Sequence, residues 1–388
     1  MLASPSVNRH RLRTAFAVAV AAALVAQCGG GPSSDDASST ASTAGTTSPT
    51  TEPAPTTIST GTTSNATGAT GADESAASTA SSTTDAPVST ASPAPIVVDT
   101  EFGSFEVPGA PERIVVVDPI IALPTALDLG VPIVGTSFAA DGTSANELVG
   151  PDELTDMVEV AVFGSTSGLE SIAAADPDLI IASPGSVEEF ELTQQIAPSV
   201  PFVVSGEWRD DARLVAEALG APDELDAQIA AYDDRATELA ARIDDELGDP
   251  SVAVVRVRPD AIRVHTNLHF AGNVIEDAGL RIPDRWTFER SDDPLENVNN
   301  RFVTISPELL GDLTDADYII VMPHGRATDT ADAVQEAFDQ VATNPLWQTL
   351  PAVQDNNVFV ADRYWLAGSR RAAEAALDDL DEFLFGGS

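Results

Sequence analysis

The sequence predicts an α/β protein with two lobes, each built on a mostly parallel sheet flanked by helices and joined to the other by one long helix. Short, nearly all-apolar segments alternate with amphipathic segments, which is typical of parallel strands covered by helices on both faces. This alternation occurs on both sides of a long helical stretch, residues 222–247. The chain has 388 residues, which is enough for two hydrophobic cores.

The predicted linking helix is Pro222–Leu247. Pro222 suits a first helical turn, whereas Gly248 and Pro250 would end the helix. At ~1.5 Å per residue the helix would be roughly 39 Å long. An ordinary surface helix within a single sheet domain is the alternative interpretation. Apolar residues three or four apart form one helical face, and they are Leu225, Ile229, Tyr232, Ala236, Leu239, Ile243 and Leu247.

Two segments precede the predicted folded part. Residues 1–28 begin with basic residues and continue with the apolar run Ala15–Val25, as in an export signal peptide. Residues 29–95 are rich in Ser, Thr, Ala, Gly and Pro and contain few large apolar residues. Such a composition cannot bury enough surface to fold, so we expect a disordered tether. The sole cysteine, Cys28, lies at the junction of the two segments.

The N-terminal lobe is predicted to span residues 96–221 and to begin with a hairpin, Ile96–Val107, that turns at Glu101–Gly103. Apolar runs bounded by Gly, Pro or Asp predict strands, and apolar residues at helical spacing predict helices. In order, these elements are strand Ile114–Val117, helix Ile120–Leu129, strand Ile133–Gly135, helix Leu169–Ala175, strand Leu179–Ala182, helix Val187–Ile196, strand Phe202–Val204 and helix Asp211–Leu219.

The C-terminal lobe is predicted to span residues 249–388, after the linking segment 222–248. The same patterns predict its elements. They are strands Val252–Val257 and Ile262–His265, helix Gly272–Ala278, strand Phe302–Ile305, helix Glu308–Leu313, strand Tyr318–Met322, helix Thr330–Val341, strand Val358–Val360 and helix Arg371–Phe385.

The charge balance of the chain excludes one class of partner. The formal net charge is −42, with 61 acidic residues against 19 basic residues, and every basic residue is arginine. A chain this acidic will not bind nucleic acid by neutralising phosphates. The acidic residues are spread along the chain, which indicates a solubilising surface. A single cysteine cannot form an internal disulfide.

Two arginines at the end of one predicted strand are the main candidates for ligand binding. Arg256 and Arg258 are two residues apart, so their side chains leave the same face of the strand. Charged residues on a core strand are costly unless they reach a ligand or a pocket. Pairing of both arginines with carboxylates of the chain is the alternative.

Six motifs occur in order along the folded part, and together they resemble those of one family. They are Pro111–Val116 (PERIVV), Ala126–Gly130 (ALDLG), Ala174–Ile181 (AADPDLII), Ile196–Pro198 (IAP), Ile305–Leu310 (ISPELL) and Asn344–Val353 (NPLWQTLPAV). From about Ile96 to Phe385 the chain resembles the substrate-binding proteins of iron–siderophore ABC importers. Leu24–Cys28 (LVAQC) resembles a bacterial lipobox, although Gln27 stands where a small residue is usual.

The resemblance implies a binding protein rather than an enzyme. Two lobes joined by one helix would hold a ferric siderophore in a cleft between them, with no further cofactor. A monomer would deliver this ligand to an ABC permease dimer. Lipidation of Cys28 would anchor the protein at the outer face of the cytoplasmic membrane. A plain secretory signal with an incidental cysteine is the alternative for the N-terminus.

The resemblance also implies which side chains line the cleft. A bulky and often anionic chelate calls for arginine forks and aromatic faces, and the R-x-R strand end at Arg256 and Arg258 fits this family. For the aromatic residues, packing in the core or at the rim is the alternative. The further predicted ligand contacts are Phe138, Trp286, Arg301, Arg326, Arg363, Tyr364 and Trp365.

Two glutamates at matching motif positions are predicted to dock on the permease. In the family, one carboxylate on each lobe contacts arginine pockets of the two permease halves. The matching positions here are Glu170, in Gly168-Leu169-Glu170, and Glu308, in Ser306-Pro307-Glu308. Both would begin short helices, where the helix dipole alone favours a carboxylate, and this is the alternative explanation.

Other functions stay open as alternatives. A protein of the same fold could bind haem, with His324 or Tyr364 on the iron, or cobalamin or a metal ion. His265 and His269 belong to no visible set of three or four converging ligands, so we expect no metal site. A secreted carboxylate-based hydrolase is the alternative from a different class. The motif Gly164–Gly168 has threonine where a nucleophile elbow needs serine.

Overall fold

The structure, a computed structural model, describes residues 93–137, 148–160, 166–183, 187–201, 204–291, 294–324 and 330–386. Its strands are β1 Ile96–Thr100, β2 Gly103–Val107, β3 Ile114–Val117, β4 Ile133–Thr136, β5 Val158–Glu159, β6 Leu179–Ala182, β7 Ser199–Pro201, β8 Val252–Arg258, β9 Ala261–His265, β10 Phe302–Ile305, β11 Tyr318–Met322 and β12 Val358–Val360.

Helices separate most of these strands, in the alternation that the sequence predicts. They are α1 Ala122–Asp128, α2 Thr166–Ala174, α3 Val187–Thr193, α4 Trp208–Ala218, α5 Pro222–Leu247, α6 Phe270–Asp277, α7 Pro294–Asn299, α8 Ala331–Ala342, α9 Pro351–Gln354 and α10 Arg370–Phe385.

The N-terminal lobe has a parallel sheet of strand order β5-β4-β3-β6-β7, preceded by the antiparallel hairpin β1–β2. Residues of β3 alternate between two apolar clusters. Ile114 and Val116 pack on the side that holds α1 and α4, whereas Val115 and Val117 pack with Ile172 of α2. Helices therefore cover both faces, which explains why β3 is apolar along its whole length.

The C-terminal lobe repeats this plan with one antiparallel strand. Its sheet has the order β10-β9-β8-β11-β12, in which β8, β11 and β12 are parallel to one another and β9 runs antiparallel to β8 and β10. In both five-stranded sheets the strand order reverses beside the first strand of the sheet, β3 or β8. The predicted fold class, two mostly parallel sheets linked by one helix, is confirmed.

Helix α5 has the predicted bounds, Pro222–Leu247. Six of the seven predicted apolar positions, Leu225 to Ile243, are buried, and Leu247 is half-buried. They join an apolar cluster that includes Trp208 of α4 and the core of the C-terminal lobe. The opposite face is solvated and forms ion pairs with α10, such as Arg242–Asp381 at 2.5 Å. The helix therefore packs against both lobes along its length.

A second connection between the lobes lies at the N-terminus of α10. Arg370 and Arg371 each contact a carboxylate oxygen of Asp128, at the end of α1, at 2.6 Å. Arg371 also contacts Glu153 at 2.8 Å. We call these four residues the α10 clamp. The negative charges of Asp128 and Glu153 offset the cost of placing Arg370 and Arg371 at the positive end of a helix.

One strand and one helix are placed differently from their predictions. Strand β7 begins at Ser199 and is described as far as Pro201, which pairs with Ala182 of β6; of the predicted strand Phe202–Val204, residues 202 and 203 lie outside the described residues. The helix predicted at Glu308–Leu313 is instead a 3₁₀ helix, Pro307–Leu313. None of the helices in the described ranges combines the length and the apolar character that crossing a membrane would require.

Candidate functional site

The candidate site lies on one face of the C-terminal sheet, where β8 carries Arg256. Arg256 pairs with Arg263 of β9, so both side chains leave the sheet on the same face. The Nε of Arg256 donates a hydrogen bond to the carbonyl oxygen of His324, which follows β11, at 2.8 Å. This is the edge at which strand order reverses, and open α/β sheets bind ligands at such a point.

Aromatic and imidazole rings extend this surface beside the arginines. The guanidinium of Arg263 lies 3.8 Å from the ring centroid of Phe302. The rings of His265 and His269 have centroids 3.9 Å apart, and His265 also contacts Phe302 edge-on at 6.3 Å. We call the six residues Arg256, Arg263, His265, His269, Arg301 and Phe302 the arginine–histidine cluster. His265 is buried, and the other five are half-buried.

Burial is the main reason why both histidines of the cluster are neutral, and the arginine charges add to it. Loss of hydration lowers the pKa of His265 well below its ordinary value, and the nearby charges of Arg256, Arg263 and Arg301 act in the same direction. Loss of hydration likewise lowers the pKa of His269 to about 3, again with help from Arg301 and Arg256. The cluster is therefore a cationic surface with neutral imidazoles, in a chain whose net charge is −42.

Arg301 connects this cluster to the N-terminal lobe. Its Nη1 donates to the carbonyl oxygen of Val204 at 3.2 Å. Burial lowers the pKa of Arg301, and the carboxylate of Asp211 in α4 opposes that effect. Asp211 is 7% exposed and accepts hydrogen bonds from the backbone N–H of Ser205 at 3.1 Å to both oxygens. Burial raises the pKa of Asp211 to about 7.

The same segment, residues 204–209, makes further contacts across the lobes. Glu207 accepts a hydrogen bond from Asn273 of α6 at 3.1 Å and forms an ion pair with Arg290 at 2.5 Å. Arg209 forms an ion pair with Asp277, also of α6, at 3.0 Å. The cluster therefore lies beside a polar junction that fixes the N-terminal lobe against the C-terminal lobe.

Arg258, one of the two main predicted ligand contacts, is held by its own hairpin. It is 4% exposed, and its Nε and Nη2 donate to the two carboxylate oxygens of Asp260 at 3.1 and 3.0 Å. Arg258 projects from the same face as Arg256, as predicted. Its fork is nevertheless occupied by a carboxylate of the chain, which is the alternative that the sequence left open.

Three predicted ligand contacts lie in the core of the C-terminal lobe. Trp286, Tyr364 and Trp365 are 3%, 5% and 0% exposed and pack within one apolar cluster. The hydroxyl of Tyr364 and the indole N–H of Trp365 both donate to the buried carboxylate of Asp379 in α10, at 2.6 and 2.8 Å. We therefore correct their role from ligand contact to core packing, because they have almost no surface to offer a ligand.

The remaining predicted contacts are placed in part. Arg363 begins the 3₁₀ helix Arg363–Leu366 and its charge acts on His324 at the rim of the cluster. Burial lowers the pKa of His324 to about 4. Phe138, Arg326 and the predicted lipidation site Cys28 lie outside the described residues.

The two predicted docking carboxylates are both exposed. Glu170 lies in α2 of the N-terminal lobe, and Glu308 lies in the 3₁₀ helix that follows β10 in the C-terminal lobe. A hydrogen bond from Ser306 lowers the pKa of Glu308. Each lobe thus presents one of the two carboxylates to solvent, while their role in docking stays a prediction.

Sequence reasoning missed Arg263 and Phe302 and treated the two cluster histidines only as metal ligands. The hairpin turn at Pro259–Asp260 was the available signal, since a two-residue turn pairs residue 258 with residue 261 and therefore residue 256 with residue 263. In the ranges that the structure describes, no three His, Cys, Asp or Glu side chains converge as a metal site would require.

Comparison with known proteins identifies the family of this chain. Residues 119–364 match the family model described as "Periplasmic binding protein". The chain is 28% identical over 286 residues to a probable siderophore-binding lipoprotein, YfiY, of Bacillus subtilis, covering 72% of this chain and 84% of that protein. It is 25% identical over 274 residues to the Fe(3+)-citrate-binding protein YfmC of the same bacterium, covering 69% and 78%.

Solved structures with the same fold include one with a bound ligand. Staphylococcus aureus SirA complexed with staphyloferrin B matches with a TM-score of 0.61 and 26% identity, covering 74% of this chain and 98% of that chain. Petrobactin-binding protein YclQ of Bacillus subtilis matches with a TM-score of 0.57 and 19% identity, covering 76% and 99%, and shows the fold alone.

Proposed function

Because this chain belongs to the periplasmic binding protein family, we propose that it is the extracytoplasmic substrate-binding component of an ABC importer for a ferric siderophore. It captures the chelate between its lobes and passes it to the permease. It performs no chemistry on the ligand. YfiY and SirA, to which the chain is similar, are named for siderophore binding or solved with a siderophore.

The arginine–histidine cluster is the observation that carries this proposal. The guanidinium of Arg263 lies over Phe302, and Arg256 leaves the same face of the sheet. Arg301 acts on both histidines of the cluster and joins the cluster to the contacts between the lobes. Guanidinium forks match the oxygen atoms of a chelate, and the ring and the flat guanidinium planes suit its apolar arms. A site with this composition binds a bulky chelate better than a bare cation, which three guanidinium groups repel.

The rest of the protein supports delivery to a membrane transporter. Cys28 carries the lipid that holds the protein at the outer face of the cytoplasmic membrane, and residues 29–95 form the tether. Glu170 and Glu308 each dock one lobe on one half of the permease dimer. The protein works as a monomer, since one chain supplies both lobes and both docking carboxylates.

A titration of the full chain with a panel of chelates tests the binding function. The panel is ferric citrate, a ferric catecholate, a ferric hydroxamate, haem and cobalamin. Binding of each compound is monitored by tryptophan fluorescence. All four tryptophans are at most 3% exposed. Quenching therefore reports energy transfer to a light-absorbing chelate rather than direct contact between a tryptophan and the chelate. A saturable loss of fluorescence is expected for a ferric siderophore or ferric citrate.

Arg256→Ala tests the position of the site. It should weaken binding at least about tenfold, which is ~1.4 kcal/mol of binding free energy, because it removes one of the three guanidinium groups. The matched control is Arg281→Ala, since Arg281 is an exposed arginine that pairs with Asp249 away from the cluster. Equal affinity in both variants would place the ligand elsewhere, and turnover of any panel member without saturable binding would favour a hydrolase.

A further inference from the structure

Gly206 lies where the backbone of the N-terminal lobe meets the arginine–histidine cluster. A Cβ atom at this position would lie 2.6 Å from the carbonyl oxygen of Leu268 and 3.0 Å from Cδ of Arg301, and both distances are too short for an undisturbed contact. Leu268 and Arg301 belong to the C-terminal lobe, and Leu268 directly precedes His269 of the cluster. A glycine is therefore needed for the two lobes to approach this closely.

The backbone conformation of Gly206 adds to this requirement. Its φ is +97°, a left-handed value that residues with a side chain rarely adopt. A positive φ alone can serve a turn, and Gly279 after α6 has one as well, with φ of +72°. The contact with Arg301 is what relates Gly206, and not Gly279, to the candidate site.

The two residues before Gly206 support the same arginine. The carbonyl oxygen of Val204 accepts a hydrogen bond from Nη1 of Arg301 at 3.2 Å. The N–H of Ser205 donates to both carboxylate oxygens of Asp211 at 3.1 Å, and the charge of this carboxylate acts on Arg301. Three successive residues of the N-terminal lobe thus provide an acceptor, hold a carboxylate and leave room for the side chain.

A side chain as long as that of Arg301 gains from being held in advance. Within the C-terminal lobe its Nε donates to the carbonyl oxygen of Val298 at 3.2 Å. An arginine loses much conformational entropy when it is fixed in one position. Contacts that fix Arg301 in the empty protein remove this cost from the binding of a chelate.

We infer that Gly206 is a positioning residue for Arg301, because it leaves the room in which the N-terminal lobe holds this arginine ready for the chelate. This inference rests on the proposed function, in which Arg301 contacts the chelate. A side chain at position 206 would displace Cδ of Arg301 and break its hydrogen bond to Val204. The chelate would then have to fix the guanidinium itself, and its affinity would fall.

Gly206→Ala tests the inference in the full chain. Ferric citrate, a ferric catecholate and a ferric hydroxamate are titrated and monitored by tryptophan fluorescence, and binding should be at least about tenfold weaker than in the wild type. Gly279→Ala is the matched control, since a Cβ atom there would lie 2.8 Å from Cβ of Ala240 in α5. This control adds comparable strain at the end of α6 that is far from His269. It should lower the midpoint of urea unfolding and leave affinity unchanged.

Arg301→Ala and the double variant test whether Gly206 acts through Arg301. Arg301→Ala removes Cδ and should also weaken binding at least about tenfold. Adding Gly206→Ala to it should weaken binding by less than a further factor of about two, because the side chain that the glycine accommodates is already absent. Additive losses in the double variant would overturn the inference.

The remaining outcomes separate the inference from the proposed function. Wild-type affinity in Gly206→Ala or in Arg301→Ala, or an equal loss in Gly279→Ala, overturns the inference while the importer function stands. If Gly206→Ala folds only together with Arg301→Ala, the contact between the two residues is supported. If neither form folds, the glycine serves the fold itself and the inference is overturned. Failure of all three ferric chelates to bind the wild type overturns both the inference and the proposed function.

Discussion

Asp211→Asn should stabilise the protein above neutral pH and leave it little changed in mild acid. Burial raises the pKa of Asp211 from 3.8 to about 7. The folded state therefore holds a proton that the unfolded state has released between these two values. At 1.36 kcal/mol for each pKa unit, the ionised carboxylate destabilises the folded state by ~4 kcal/mol above pH 7.

The expected gain is smaller than this cost. Asparagine offers the N–H of Ser205 one acceptor oxygen instead of two, and it loses the attraction of Arg301 for a carboxylate. Allowing on the order of 1–2 kcal/mol for these losses leaves a net gain of about 2 kcal/mol at pH 8. At pH 5 only about 1.2 of these pKa units count, ~1.6 kcal/mol, which the losses from asparagine roughly cancel, so the substitution should change stability little there.

Urea unfolding of both proteins at pH 5 and pH 8 measures the effect. Other groups titrate in the same pH range. The two cluster histidines change stability in the direction opposite to that of Asp211. His265 and His269 have lowered pKa values, so their contribution to stability falls as pH drops below about 6.5. They act equally in both proteins, and the difference between variant and wild type at the two pH values isolates Asp211.

Asp234→Asn is the control for this experiment. Asp234 is an exposed carboxylate on the solvated face of α5. Its substitution should change the free energy of unfolding by less than about 0.5 kcal/mol at either pH. If Asp211→Asn destabilises the protein equally at pH 5 and pH 8, the carboxylate is ionised throughout and the reasoning about its burial is wrong.

Two further predictions concern the core and the permease. Asp379→Leu should cost ~2–4 kcal/mol in urea unfolding, because it removes the carboxylate that accepts from the hydroxyl of Tyr364 and from the buried indole N–H of Trp365. A much smaller cost would contradict the assignment of these rings to the core. Glu170→Arg combined with Glu308→Arg should abolish uptake in cells while chelate affinity in calorimetry is unchanged; lost affinity would count against a docking role.

The sequence determined the linking helix well because its signals are local. The proline at the first turn, the glycine at the end and the apolar face between them all lie within residues 222–248, and no distant partner is needed to place them. The start of strand β7 is predicted less well for the opposite reason. The strand begins at Ser199 rather than at Phe202, because pairing with β6 decides where it begins, and the sequence of β7 does not contain that information.

The site could be predicted only where strand periodicity was enough. Periodicity gave the shared face of Arg256 and Arg258, but not which of them meets a carboxylate of the chain. The aromatic residues Tyr364 and Trp365 are predicted to contact the ligand because they follow strand Val358–Val360, where the family that the chain resembles often has an aromatic residue. Both side chains are buried because Asp379 of α10 accepts their hydrogen bonds at 2.6 and 2.8 Å. Only the folded chain brings α10 close enough for these bonds to form.

Two polar junctions between the lobes set how the protein can respond to its ligand. The α10 clamp holds Asp128 at 9% side-chain exposure between two arginines, and Glu207 joins segment 204–209 to Asn273 and Arg290. Opening the lobes would strand the buried carboxylate of Asp128, which is strongly unfavourable, and would break the more exposed Glu207–Arg290 pair at a smaller cost. With α5 also packed against both lobes, a wide hinge motion is therefore opposed at three places. Binding then depends on a site already formed in the empty protein, and the free energy of the chelate's contacts goes into affinity rather than into closing a hinge.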